Sequence, residues 1–277
     1  MQVITTEMVQ KVIVKRPANS HKGQFGRVLI IGGNQQYGGA AMMSAEAAVN
    51  AGAGLVTVMT DQINLTSLHA RLPEAMFVDY QAPTNQLAQT IRNADVIVIG
   101  PGLGLTAHAL MLLQLTFKTV TATQTLLVDG SALTLIAKHH LPLPKTQVIL
   151  TPHQMEWSRL SQLPIAEQTV SANQQASAQL NQPILVLKKH HTEIYHDQVV
   201  YQLTIGTPAL ATGGSGDTLT GIIAAFCGQF QTSVATVNAA VYTHSAISDQ
   251  LAQTKYVTLP TQIIQALPAF MAQMAQS

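Results

Sequence analysis

Ala211-Thr212-Gly213-Gly214-Ser215-Gly216-Asp217-Thr218-Leu219-Thr220-Gly221 is the stretch on which the reading of this chain turns. Leu219, Ile222, Ile223 and Phe226 recur at helical spacing after Asp217, so the segment continues as an amphipathic helix. A helix start leaves backbone N–H groups unpaired and carries partial positive charge, which suits a phosphate or a developing anion. Glycines at 213, 214 and 216 let the backbone turn sharply and approach a ligand closely. Asp217 does not fit simple anion binding, because a carboxylate repels a phosphate. It fits if it must take a proton from the group that attacks the phosphate. The competing account is an acidic residue favoured in a first helical turn by the macrodipole.

Working outward, Arg27-Val-Leu-Ile-Ile31 reads as a buried strand stopped by Gly32-Gly33-Asn34, followed by a small-faced helix from Gly39 to Val49. Further apolar runs at 55–59, 95–99, 126–128, 148–150 and 183–187 alternate with helical stretches. Several end in glycine or polar residues: Gly100-Pro101-Gly102-Leu103-Gly104, Asp129-Gly130, Thr151-Pro152-His153 and Lys188. Strands without polar alternation predict an α/β fold with a mostly parallel central sheet and helices on both faces. In such sheets ligands bind outside the carboxyl ends of the strands. An antiparallel hairpin is expected at 193–201, turning at Asp197-Gln198, and two closing helices at about 233–252 and 261–272. Residues 1 to about 20 read as a short helix or arm, and the whole chain, 1–277, as one domain.

The 277 residues are 47% hydrophobic and 10% charged, with a formal net charge of +1. No basic stripe suggests nucleic acid, and no apolar run is long enough to span a bilayer, so neither partner is expected. The single cysteine, Cys227, fits a buried inert thiol in a reducing compartment, and a cytoplasmic location is expected. There is no Gly-x-x-x-x-Gly-Lys-Ser/Thr loop, no Gly-x-Gly-x-x-Gly after a strand and no Gly-x-Ser-x-Gly elbow. His139-His140 and His190-His191 lack helical metal spacing and cysteine partners, so no metal held by protein side chains is expected.

Gly213 to Asp217, late in a parallel α/β chain, resembles the ribokinase-like superfamily. Other segments narrow the resemblance to the ADP/ATP-dependent NAD(P)H-hydrate dehydratases, the C-terminal-type domain of bifunctional nicotinamide-nucleotide repair enzymes. They are His21 to Arg27 running into Ile31 to Asn34, Gly38-Gly39-Ala40 with Ala51 to Val56, Gly100 to Gly104, and Thr151-Pro152-His153 with Glu156. They cover most of the chain in the family's order. The resemblance implies repair of a damaged cofactor: NADH or NADPH hydrated on its nicotinamide ring is phosphorylated on the hydroxyl by ADP or ATP, then loses phosphate. It implies Asp217 as the catalytic base and Gly214, Ser215 and Gly216 as an anion hole. Ala40, Gly104, His153 and Asp217 would contact the hydrated dinucleotide. Lys188, Lys189, His190, His191, Thr192 and Gly216 would contact the nucleotide. Mg²⁺ would be bound mainly through the nucleotide phosphates.

The chain departs from the family pattern at Lys189 and Met155, each in place of a glycine, and at Thr207, near a position often held by asparagine. No fused epimerase domain is expected, so a separate epimerase is implied as a pathway partner, and a homo-oligomer (a tetramer in the family) is implied as the assembly. Two rival readings stand beside this one. A ribokinase-like kinase for a hydroxyalkyl heterocycle keeps the fold and changes the substrate. A non-catalytic nucleotide-binding protein leaves Asp217 without a purpose.

Overall fold

Apolar runs become strands where turn residues stop them, and the computed structural model, which describes residues 1–275, follows that rule closely. The elements run β1 (Gln2–Val3), α1 (Thr6–Gln10), β2 (Arg27–Ile31), α2 (Gly38–Asn50), β3 (Leu55–Thr60), α3 (Leu65–Arg71) and β4 (Met76–Asp79). Next come α4 (Thr84–Arg92), β5 (Val96–Ile99), α5 (Ala107–Thr119), β6 (Thr125–Val128), α6 (Gly130–His139), β7 (Gln147–Leu150), α7 (Gln154–Ser161) and α8 (Val170–Ala178). The chain closes with β8 (Ile184–Leu187), β9 (Glu193–His196), β10 (Val199–Gln202), α9 (Ser215–Phe230), α10 (Val234–Ala252) and α11 (Pro260–Met274).

Among the described residues ten strands form one sheet, ordered β1-β10-β9-β8-β7-β6-β5-β2-β3-β4. It is parallel except at β9, which runs antiparallel to both β8 and β10. The expected 193–201 hairpin is thus present and extends the sheet. Two strands go beyond the sequence reading. β4 pairs with β3 at one edge, and β1, at the start of the expected arm, pairs with β10 at the other.

Strand alternation sorts the core into two layers. Val28, Ile30, Val96 and Val98 point into a cluster with α2, α9, α10 and α11. Leu29, Ile31, Ile97 and Ile99 point into a second cluster with residues of α4 to α7. Both faces are covered, as continuous apolar strands require. Cys227 lies buried in the first cluster, and burial pushes its thiol up to about 12, so it is inert.

The order of strands reverses between β2 and β5, which makes their carboxyl ends the topological switch point. The loops there are joined backbone to backbone. Gly33 N–H donates to Pro101 O at 2.9 Å, and Asn34 N–H to Gly102 O at 2.8 Å. A Cβ on Gly32 would stand 2.0 Å from Pro101 O, and one on Gly100 (φ +125°) 1.7 Å from Asp129 O. Three successive strand ends therefore meet at distances that only glycine permits.

Helix α9 is the innermost helix. Residues Thr218 to Cys227 are all buried, between the sheet, α2 and α10. Its approach to α2 depends on Gly221, where a Cβ would meet Ser44 O at 2.1 Å and Ala47 Cβ at 2.8 Å. Ser44 Oγ donates to Asp217 O at 2.8 Å, which sets the height of α9 against α2. Gly221→Ala is expected to destabilise the fold by about 1–3 kcal/mol through overpacking. The check is a lowered urea midpoint at unchanged m-value.

Candidate active site

The loop before α9 turns on Gly214, whose φ of +92° is left-handed, and whose Cβ would strike Met43 of α2 at 2.4 Å. The first helical bond runs from Thr218 N–H to Gly214 O at 2.9 Å. Backbone N–H groups of the first turn before it lack intrahelical carbonyls, while Ser215 N–H makes a long 3.4 Å bond to Thr212 O. Asp217 stands in that first turn, part-buried.

Beside it lies a knot of charge. Lys188, directly after β8, extends Nζ to within 2.7 Å of Asp129 Oδ1 and is mostly buried. A methyl group on Gly216 would stand 3.2 Å from that nitrogen, so lysine and glycine loop face each other. Asp129 follows β6 and is 3% exposed. Its second oxygen lies 3.0 Å from Thr220 Oγ1, which also reaches Gly216 O at 2.8 Å. Strand end and helix start are thereby tied together.

The charges set each other's protonation. Burial, then the charge of Asp129, pushes the Asp217 carboxyl up to about 6; Lys188 pulls it down and Glu156 adds to the rise. Burial alone would lower the Lys188 pKa, but Asp129 first, then Glu156 and Asp217, hold it above its ordinary value. Lysine therefore stays charged, while the aspartate is poised close to neutral pH. His244 of α10 is buried, and burial followed by the Lys188 charge pushes it down to about 4, which keeps it neutral.

His153 follows β7 and pairs with Lys188 in an isolated parallel bridge, with Lys188 N–H donating to Pro152 O at 2.8 Å. It caps α7: Nδ1 accepts from the N–H groups of Met155 (3.1 Å) and Glu156 (3.3 Å), while Glu156 Oε2 accepts from His153 N–H at 2.9 Å. With Nδ1 accepting, the neutral ring carries its proton on Nε2, and the side chain is 53% exposed. Ala40 sits one turn before Ser44 on α2, and a Cβ on Gly102 would meet its methyl at 3.1 Å. Gly104 (φ +82°) donates its N–H to Ser131 Oγ at 3.1 Å, with Asn34 beside it.

The strand ends thus bring together Asp217, Gly214 to Gly216, Lys188 and His153, with Ala40 in the first turn of α2 and Gly104 in the loop after β5. The rest of the 188–192 segment is arranged differently. Lys189 Nζ is held by Glu193 at 2.6 Å. The rings of His190 and His191 meet edge to face at 4.0 Å on an exposed turn, and Thr192 Oγ1 lies 3.4 Å from Lys189 O. Asp129 and Thr220 were not among the sequence candidates, although Asp129 ends a strand next to a glycine. Among the described residues no group of His, Cys, Asp and Glu is arranged to hold a metal by itself, and no helix is long and apolar enough to cross a membrane.

A family model described as NAD(P)H-hydrate dehydratase matches residues 28–269. A relative from Lactiplantibacillus plantarum, the ADP-dependent (S)-NAD(P)H-hydrate dehydratase, is 52% identical over 276 residues, covering 100% of this chain and 99% of its own. The crystal structure of a ribokinase-like superfamily protein from Enterococcus faecalis matches with a TM-score of 0.97 at 50% identity, covering 100% of this chain and 97% of that one. The ADP/ATP-dependent NAD(P)H-hydrate dehydratase of Bacillus subtilis, co-crystallised with ATP and Mg²⁺, matches at a TM-score of 0.85 and 27% identity, over 99% and 98% of the two chains. With the expected parallel sheet and glycine-aspartate helix start both in place, this chain belongs to the NAD(P)H-hydrate dehydratase family of ribokinase-like fold.

Proposed function

We propose that the chain dehydrates hydrated NADH and NADPH, with ADP as phosphoryl donor and ATP as the alternative. The observation that carries the reading is Asp217, poised at about 6 on the helix start beside Lys188. A carboxylate with that pKa is ionised near neutral pH and still basic enough to take a proton from a hydroxyl at the moment it attacks. The hydrate oxygen attacks the terminal phosphorus, the bond to the departing nucleotide breaks, and AMP (or ADP) leaves. The phosphorylated ring then expels phosphate and releases a ring proton, which restores the double bond. Phosphate departs far more readily than hydroxide, which is why the nucleotide is consumed.

In this reading the N–H groups of Gly214, Ser215 and Gly216 stabilise charge on the phosphoryl group in flight, and Lys188 shares the task. Ala40 and Gly104 let the dinucleotide approach the backbone, and His153 donates from Nε2. Residues 188–192 border the donor; the Glu193 pairing leaves Lys189 to shape that turn, with Thr192, His190 and His191 as its rim. Mg²⁺ entering with the phosphates fits the field of Asp129, Glu156 and Asp217, hard oxygen groups of like charge, and would neutralise donor charge there. Because the site draws on residues from 40 to 217, the chain acts as one domain. A homo-oligomer and a separate epimerase complete the proposal; light scattering tests the first.

With hydrated NADH, ADP and Mg²⁺, absorbance of the reduced nicotinamide is expected to return. Phosphorylation of a hydroxyalkyl heterocycle without that return would favour the kinase reading instead. Asp217→Asn is expected to lower kcat by about 10²–10⁴-fold while nucleotide binding, read by calorimetry, persists. Because the base must be ionised, kcat/KM should fall as pH drops through about 6. Asp129→Asn removes the neighbouring charge that raises Asp217 and should move this limb to lower pH.

The same poise has a cost in stability. The folded pKa of Asp217 lies above its ordinary 3.8, so its stabilising contribution is complete below that value and lost as pH rises through about 6. Asp217→Asn is therefore expected to be about 1–3 kcal/mol more stable than the wild type near pH 8, with the gap closing towards pH 4 in urea titrations.

A further inference from the structure

Hydrated NADH is a long molecule, and the donor, base and hydroxyl occupy one half of the sheet's carboxyl edge. Lys188 follows β8, His153 follows β7, Asp129 follows β6 and Gly104 lies beyond β5. The next strands in the sheet are β2, β3 and β4. From β7 to β3 is four strand spacings, about 19 Å at about 4.8 Å each, comparable with an extended dinucleotide. Over the ends of β2, β3 and β4 lies a cavity of about 730 Å³, within the usual range for small-molecule sites. Its lining includes Asn34, Asp61, Tyr80, Gln81, Thr106 and His108, and it contains neither lysine nor arginine. Asn34 is the link: its side-chain nitrogen stands 2.5 Å from where a Cβ on Gly104 would be.

The walls of this cavity are fixed. Asp61 follows β3 and accepts from Ile63 N–H through Oδ1 at 3.0 Å and from Tyr80 O–H through Oδ2 at 2.9 Å. Each carboxylate oxygen keeps a further lone pair. The Tyr80 and His108 rings meet edge to face at 4.9 Å, and His108 Nε2 lies 3.1 Å from Tyr80 O. The start of α5, capped by Thr106, opens on the same space, so a diphosphate bridge has unpaired N–H groups to lie against.

We propose that this cavity receives the adenosine half of the hydrated dinucleotide and that Asp61 makes the enzyme prefer hydrated NADH to hydrated NADPH. A carboxylate accepts well from a ribose 2′-hydroxyl and repels a 2′-phosphate, which sites for phosphorylated dinucleotides meet with arginine. Asn34 and Gln81 supply hydrogen-bond partners for the base and sugar, and the His108 ring an aromatic surface. The inference rests on the dehydratase reading and names the end of the substrate that reading leaves unplaced.

The test is kcat/KM for hydrated NADH, hydrated NADPH and hydrated nicotinamide mononucleotide, each with ADP and Mg²⁺. The wild type should prefer hydrated NADH over hydrated NADPH by about tenfold or more, and the mononucleotide should lose about tenfold or more against hydrated NADH. Asp61→Asn keeps an acceptor for Ile63 N–H and removes the charge, so the preference should shrink towards unity. Gln81→Arg adds a cation to the cavity and should raise kcat/KM for hydrated NADPH about tenfold, which keeps the test decisive if Asp61→Asn folds poorly. Equal efficiency with both dinucleotides in the wild type, or an unchanged ratio in both variants, overturns the assignment of the cavity while leaving the dehydratase reading intact. No turnover of any hydrate overturns that reading and this inference with it.

Discussion

The ion pair between Lys188 and Asp129 governs the arrangement at the carboxyl edge of the sheet. Removing two charges from water is costly, and the pair stands only because each end has further partners. Asp129 is also met by Thr220 of α9, and Lys188 by the fields of Glu156 and Asp217. Three carboxylates converge on one ammonium, so the local balance is negative. That excess adds to burial in lifting Asp217 towards neutrality, and it is also a field that favours a phosphate arriving with a compensating cation.

Rigidity around that pair comes from close backbone packing. α9 carries Asp217 and is buried along most of its length, pinned to α2 at Gly221 and at the Ser44 bond. The loops after β2, β5 and β6 touch through atoms that leave no room for a side chain at Gly32 or Gly100. An aspartate on such a frame cannot relieve its strained electrostatics by moving into water. Poise is thus a property of the packing as much as of the charges.

Much of this architecture was legible from residue order. β2 has the bounds its apolar run suggested, because Gly32 and the charged Arg27 mark both ends of a strand buried on two sides. The 193–201 hairpin followed from its turn. β4 was not read from the sequence: its apolar run, Met76-Phe77-Val78, is short and stops at Asp79, and at the sheet edge none of the four residues is fully buried. β1 is two residues long, too short for any periodicity. At the site, Asp217 and its glycines were evident because the motif is local. Asp129 was not, because its importance lies in Lys188, 59 positions away. Lys189, placed by resemblance in the nucleotide-contacting segment, pairs with Glu193 of β9 at 2.6 Å, a partner that residue order did not reveal.

Among the described residues β9 alone breaks the parallel pattern. Because β9 returns antiparallel beside β8, the 188–192 segment is a tight surface bend, whereas the β2, β5 and β6 ends feed helices that pack on the two faces of the sheet. Length changes in that bend would be absorbed at the periphery, with no shift of the helices that follow β2, β5 and β6. In the proposed arrangement that bend borders the phosphoryl donor, so a diphosphate could be exchanged for a triphosphate at one flank while the opposite flank keeps its register.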